Sequence, residues 1–392
     1  MTHMLDQLLS LVNKDRLRDT LYDLVRVPSP TGQARPVAGR LADIWREIGL
    51  SEIEMIETAG WDNSPSVVGW RRGVGNGPTL HFNGHMDHIH QAHVAPYLDG
   101  DRVVGRGAAD MKSGLACMIE LARVLEAAGV ELPGDLLFSS HDLHEDPIGH
   151  GEGVRTLIER GFTGDAVVVA EGPPHEFLVA GKSNSLVEID LRGAGDPIHE
   201  LSITPDMPNL IEVGADVVLA LRALKARIAA RVDDQFGPQS FFLGIMQAGD
   251  FYNRLPTRCH ITATRRFPPE TQRNDVEAEI RNVVVAAVGD RPVQVKVDAS
   301  RGNDGFRISA QEPIAVALRD GYRRVTGSEL PSGIQLFGAD NGKFIAWGGV
   351  PAVAHGVGLA QAHADLEWCD ANDLVRVTRV FLATLLGFYD LI

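Results

Sequence analysis

Short apolar runs separated by amphipathic helices are the feature that most constrains this fold. Runs at 79–82, 136–138 and 166–169 are largely apolar and too short for helices. Runs of that kind fit strands buried on both faces, as in a parallel sheet. Between them, residues 34–49 carry apolar positions at helical spacing and stop at Gly49. Residues 114–128 set Leu115, Met118, Ile119, Ala122 and Leu125 on one helical face. Strands alternating with helices predict an α/β fold, with a mostly parallel mixed sheet flanked by helices.

The pattern changes near Lys182. Residues 185–191 alternate with period two, which predicts a half-exposed antiparallel strand. A helix at about 209–231, strands near 239–248 and 257–266, a helix at 272–288 and a strand at 293–297 follow. That order describes a small α+β insert of the split βαβ, ferredoxin-like kind. At 392 residues the chain exceeds one ordinary domain. The expected division is a core of residues 1–182 and 299–392, interrupted by an insert of residues 183–298.

The net charge of −15 argues against nucleic acid or an anionic membrane as a partner, since both need clustered positive charge. No apolar run reaches the roughly 18 residues of a membrane span. The first 19 residues read as an amphipathic helix broken by Asp6 rather than a secretory signal, so the cytoplasm is the expected location. Three scattered cysteines indicate neither a disulfide framework nor a thiolate metal site.

Histidine carries the chemical information. Of 14 histidines, five lie in HFNGHMDHIHQAH (81–93). His85 and Asp87 are two apart beyond an apolar run, so in extended backbone both point the same way. A metal-bound imidazole commonly donates its other N–H to a carboxylate, and this spacing supplies one. His88, His90 and His93 either line a pocket or face water. Asp110 immediately precedes the 114–128 helix, where taken alone it reads as an N-cap. Glu145 and Asp146 follow the run LLFSS, Glu171 follows AVVVA, and His363 follows VPAVA. Four or more of these groups fall just past the C-terminal end of an expected strand, where open α/β sheets place their ligand crevice. Nitrogen and oxygen donors without thiolate suit zinc, manganese or cobalt.

The chain resembles the metallopeptidase family of acetylornithine deacetylase, succinyl-diaminopimelate desuccinylase, aminoacylase and carboxypeptidase G. The matching motifs run nearly end to end: LVRVPSPTGQ (24–33), GHMDH (84–88), GRGAADMKSG (105–114), HEDPIG (144–149), VVAEGPP (168–174) and AQAHADLEW (360–368). The resemblance implies two divalent metal ions, zinc first, with manganese or cobalt as alternatives. It implies His85 and Glu171 at one ion, Asp146 and His363 at the other, and Asp110 bridging both. Asp87 would orient His85, and Glu145 would be the general base. The insert would be a lid and dimerisation domain, with a homodimer expected. His199 would help hold the oxyanion, and Asn253 and Arg266 would engage a substrate carboxylate, with Arg265 as the alternative to Arg266. The implied activity is hydrolysis of the amide bond of an N-acyl amino acid or peptide-like small molecule.

Some positions depart from the family pattern. The usual paired glutamates stand here as Glu145-Asp146, and His144 beside them is a further candidate ligand. Two other readings stay open: a dipeptidase or carboxypeptidase using the same metals, and a catalytically silent binding relative. Retention of Glu145, Asp110 and both metal histidines argues against the last.

Overall fold

In the computed structural model, which describes residues 2–335 and 339–392, the chain divides into two compact units. The first comprises Met1–Ala180, Arg307–Ile334 and Ala339–Ile392, and the second is built on Gly181–Phe306.

The first unit centres on a six-stranded mixed sheet. Its strands run in the order Ser51–Thr58, Trp61–Arg71, Gly134–His141, Gly77–His85, Ala166–Val169, Ala352–Ala354. The last four are mutually parallel, and the first two add as an antiparallel hairpin on one edge. The parallel strands read as apolar runs because both their faces are covered: Leu136, Leu137, Phe138, Val167, Val168 and Val169 are fully buried. Helix Arg35–Ile48 buries Val37, Ala38, Leu41, Ala42 and Trp45 along one stripe and packs on strand Trp61–Arg71. It ends at Gly49, whose φ of +100° is the left-handed conformation that a helix C-terminus favours. Helix Lys112–Ala128 is buried on nearly every side and likewise stops at a left-handed glycine, Gly129.

The second unit is a four-stranded antiparallel sheet in the order Ser240–Ala248, Arg258–Phe267, Ser183–Gly193, Val293–Asp298. Together with helices Leu210–Ala229 and Arg273–Val288, this is the ferredoxin-like arrangement. Strand Ser183–Gly193 alternates buried and half-buried residues along its length. Its inward Val187, Ile189 and Leu191 meet Val213, Val217, Leu221, Leu224 and Ile228 of the first helix, and Val276, Ile280 and Val284 of the second. Those helical positions recur every three or four residues, which is what makes one apolar stripe. Among the described residues, no helix is long and apolar enough to cross a membrane.

Candidate active site

The register of the parallel strands places the chemistry. His85 closes strand Gly77–His85 directly opposite His141, which closes the neighbouring strand. Asn83 pairs with Val169, and Val169 with Ala354, so Glu171 emerges two residues past the same edge. Asp110 arrives from the turn before helix Lys112–Ala128, and His363 from the loop after strand Ala352–Ala354. All converge at the C-terminal edge of the sheet, where the loops of open α/β folds form the ligand crevice.

Asp110 lies at the middle of the cluster. Its Oδ1 is 3.1 Å from His85 Nε2 and its Oδ2 is 3.5 Å from His363 Nε2. Glu145 Oε1 is 3.1 Å from the same His363 nitrogen. His85, Asp110 and Glu145 bring donor atoms within 4.8 Å of one another, as do His85, His144 and Glu171. Electrostatics follow from burial and proximity. Burial disfavours a charged His85, but Asp110 and Asp87 outweigh it and lift the imidazole well above its usual range. Burial likewise works against the Asp110 carboxylate, and His85 reverses this, so the group lies below its usual range. Glu171 is the exception: burial pushes its carboxyl up to about 7, and its Oε2 is buried without a hydrogen-bond partner. An orphaned buried carboxylate oxygen in a group this close to the His85 imidazole is what a cation would satisfy.

The supporting groups are spread through the chain. Asp87 Oδ1 lies 3.4 Å from His85 Nδ1, and the Asp87 backbone carbonyl lies 3.2 Å from the same nitrogen. Asp87 Oδ2 accepts from Thr31 Oγ1 at 2.9 Å and from the N–H groups of His144 and Glu145, both at 3.1 Å. Glu367 is almost completely buried, and its carboxylate accepts from Gly107 N, Ala109 N, Asp110 N and Arg106 Nη1. It thereby fixes the turn that presents Asp110. Lys112 Nζ donates to Leu24 O and Val27 O, and its burial lowers its pKa to about 7. The extra histidines of the first cluster mostly hold loops. His88 Nε2 accepts from Ser29 N, His90 Nε2 lies 2.8 Å from Thr31 O, and His93 Nε2 accepts from Glu367 N. Sequence reasoning missed Thr31, Asp340 and Glu367 as parts of this site. Glu367 stands inside the quoted motif AQAHADLEW and Thr31 inside LVRVPSPTGQ, so the motifs held a signal for both.

One expected ligand is not brought to the cluster. Asp146 has a side chain 80% exposed and pairs with His150 at 3.3 Å. The reason is local: Asp87 Oδ2 ties down the backbone of both His144 and Glu145, and the chain then turns outward at Asp146-Pro147. The inward pair is therefore His144 and Glu145, one residue earlier than the acidic pair in the sequence.

In the second unit, His199 and Asn253 are neighbours: the Asn253 side-chain amide is 3.2 Å from His199 Nε2, and residues 199 and 254 form a β-bridge. Arg266 is half-buried opposite Ser240 and Asn184. Arg265 is fully buried and bonded to Gln239 and to backbone carbonyls, so it is occupied within its own unit.

The donor set fits divalent ions: imidazoles and carboxylates converge, one carboxylate spans two imidazoles, and the cysteines stand elsewhere as free buried thiols. Fold and centre together define an α/β metallohydrolase. The chain belongs to peptidase family M20/M25/M40, whose model matches residues 81–387. It is 25% identical over 387 residues to succinyl-diaminopimelate desuccinylase of Methylobacterium radiotolerans, covering 94% of this chain and 95% of that one. A tripeptidase from Staphylococcus aureus has the same fold, with a TM-score of 0.79 at 19% identity over 97% of this chain and 100% of its own. So does a dinuclear metal-binding peptidase of family M20 from Bacillus subtilis, with a TM-score of 0.71 at 17% identity over 97% of this chain and 99% of its own. The protein is a metal-dependent hydrolase of amide or peptide bonds.

Proposed function

We infer that the chain removes the acyl group from an N-acylated amino acid or a related small amide, using two divalent ions. The observation that carries this reading is the Asp110 carboxylate, with one oxygen on His85 and the other on His363. His85 and Glu171 would hold one ion with Asp110, and Glu145 and His363 the other. Zinc is the simplest choice for this donor set, with manganese and cobalt next. Divalent ions in such a centre supply Lewis acidity, making water a nucleophile at neutral pH and polarising a scissile carbonyl. Asp87 holds His85 in one orientation, and Glu367 holds Asp110. With Asp146 on the surface, Glu145 takes the acidic place at the second ion, and the proton-carrying role expected of Glu145 falls to another group.

The substrate is a small molecule rather than nucleic acid or membrane, consistent with the net charge of −15. In the second unit, Asn253 and Arg266 are assigned to a substrate carboxylate, for which a planar guanidinium is well shaped, and His199 to the oxyanion. A homodimer is supported by edge strand Ser240–Ala248, which exposes Phe242, Ile245 and Met246, with Leu219 exposed on the unit's first helix. An apolar edge strand is a template for a second copy. Free, buried cysteines fit a reducing cytoplasm. A screen of N-formyl, N-acetyl and N-succinyl amino acids against di- and tripeptides, with zinc-loaded protein, tests the reading. Turnover of acylated amino acids supports it, turnover of peptides alone supports the dipeptidase alternative, and no turnover of either sinks both.

A further inference from the structure

His144 is the residue whose surroundings the family reading does not explain. Its Nδ1 donates to Asp340 Oδ2 at 2.9 Å. Asp340 is fully buried and is itself fixed by His141 Nε2 at 2.9 Å and by Lys343 Nζ at 2.8 Å. Lys343 and His141 are almost completely buried as well, so the anchor is rigid. The His144 backbone N–H is held by Asp87. With Nδ1 committed, the free ring nitrogen is Nε2. The ring lies parallel on that of His85, with centroids 3.9 Å apart and planes 5° apart. Two rings stacked face to face cannot both hold one ion in their planes, and it is His85 whose Nε2 meets Asp110, so the closeness of His144 to His85 and Glu171 does not by itself make it a ligand. His144 is therefore beside the metal-facing His85 without sharing its ligand role, and its side chain is 13% exposed. Glu145, by contrast, points its Oε1 at His363.

We propose that His144 is the proton-carrying catalytic residue and that Asp340, with Lys343 behind it, is the positioning residue that holds it. This assignment rests on the two-ion reading above and changes which group does the acid–base work. As water attacks the amide carbonyl carbon, its proton passes to His144 Nε2 and the C–O bond forms. The C–N bond then breaks, and His144 returns that proton to the departing nitrogen, giving a carboxylic acid and an amine. A carboxylate on the far nitrogen favours the tautomer with Nε2 free and steadies the imidazolium, as in other His–Asp pairs.

The test compares zinc content and steady-state kinetics of wild type, His144→Asn, Glu145→Gln, Asp340→Asn and Asp146→Asn, using the best-hydrolysed N-acyl amino acid or peptide from the screen. Thermal unfolding monitors the fold of each. His144→Asn is expected to keep wild-type zinc and KM within about threefold while kcat falls about a hundredfold or more. Glu145→Gln is expected to lose zinc, and Asp146→Asn to match wild type. Asp340→Asn should keep zinc and lower kcat with KM little changed, a split that a merely structural role would not give. Should Asp340→Asn fail to fold, His144→Asn and Glu145→Gln still decide the matter. Glu145→Gln that keeps its zinc and loses turnover, beside an active His144→Asn, overturns the proposal and restores Glu145 as the base. Zinc lost from His144→Asn overturns it too, by making His144 a ligand. Wild type that takes up no zinc is a different result, which removes the two-ion reading itself.

Discussion

Glu367 offers the strongest single perturbation outside the ligands. Its carboxylate is 1% exposed and accepts four hydrogen bonds, from Arg106 Nη1 at 3.1 Å, Gly107 N at 3.0 Å, Ala109 N at 2.9 Å and Asp110 N at 3.1 Å. Glu367→Ala leaves three backbone donors without an acceptor and takes the counter-charge from the buried Arg106 guanidinium, whose Nη1 keeps only the Ala364 carbonyl, at 3.1 Å. Each unsatisfied buried donor costs about 1–3 kcal/mol, and breaking a buried ion pair costs about 3–5 kcal/mol. The parts do not add, because the truncated side chain leaves room for water to reach some of these donors. A net loss of about 3–5 kcal/mol is therefore expected, measured by urea unfolding. Glu367→Gln keeps acceptor oxygen but loses the charge and should fall in between. Because the same donors fix the Asp110 turn, Glu367→Ala should also hold less zinc. A Glu367→Ala protein within about 0.5 kcal/mol of wild type, with full zinc, refutes the reasoning.

Three further outcomes follow from buried groups and surfaces. His81 and His355 are fully buried, and burial lowers both imidazoles to about 3. Unfolded histidine takes its proton near 6.5, so between pH 3 and 6.5 the unfolded state binds more protons and stability rises with pH. Each residue should cost about 2 kcal/mol at pH 5, and His355→Phe should reduce the difference in stability between pH 5 and 7.5 by that amount; an unchanged difference counts against it. Gly114→Ala would put a Cβ 1.9 Å from the Ala170 carbonyl oxygen, beside Glu171. That backbone cannot yield cheaply, so about 3 kcal/mol of stability and some zinc should be lost; wild-type unfolding would contradict the packing. Phe242→Glu should give a folded monomer by light scattering, and a dimer unaffected by it places the interface elsewhere.

Much of this was legible in residue order, for identifiable reasons. The parallel strands announce themselves because burial on both faces demands continuous apolar runs, as at 166–169. The alternation of 185–191 and the four-residue spacing of Val276, Ile280 and Val284 mark the second unit in the same way. The hairpin strand Ser51–Thr58 is harder to see, since Glu52, Glu54 and Glu57 keep it polar on an exposed edge. His85, Asp110, Glu145, Glu171 and His363 were legible because each follows a strand end or opens a helix. Asp146 misled because two adjacent acids are chemically alike. Which one faces inward is decided by Asp87, 58 residues away from Glu145 in the chain, through a backbone contact with no sequence signature. Asp340 was hidden for a similar reason: it meets His144 across 196 residues and looks, locally, like an acid in the first turn of a helix.

The most direct test of the central claim is the metal content of the purified protein, measured by elemental mass spectrometry in wild type and His363→Ala after reconstitution. The account predicts about two equivalents of zinc, manganese or cobalt in wild type, fewer in the variant, and hydrolysis that chelation abolishes. Wild type that binds no divalent metal, or that hydrolyses amides equally well after exhaustive chelation, would contradict it.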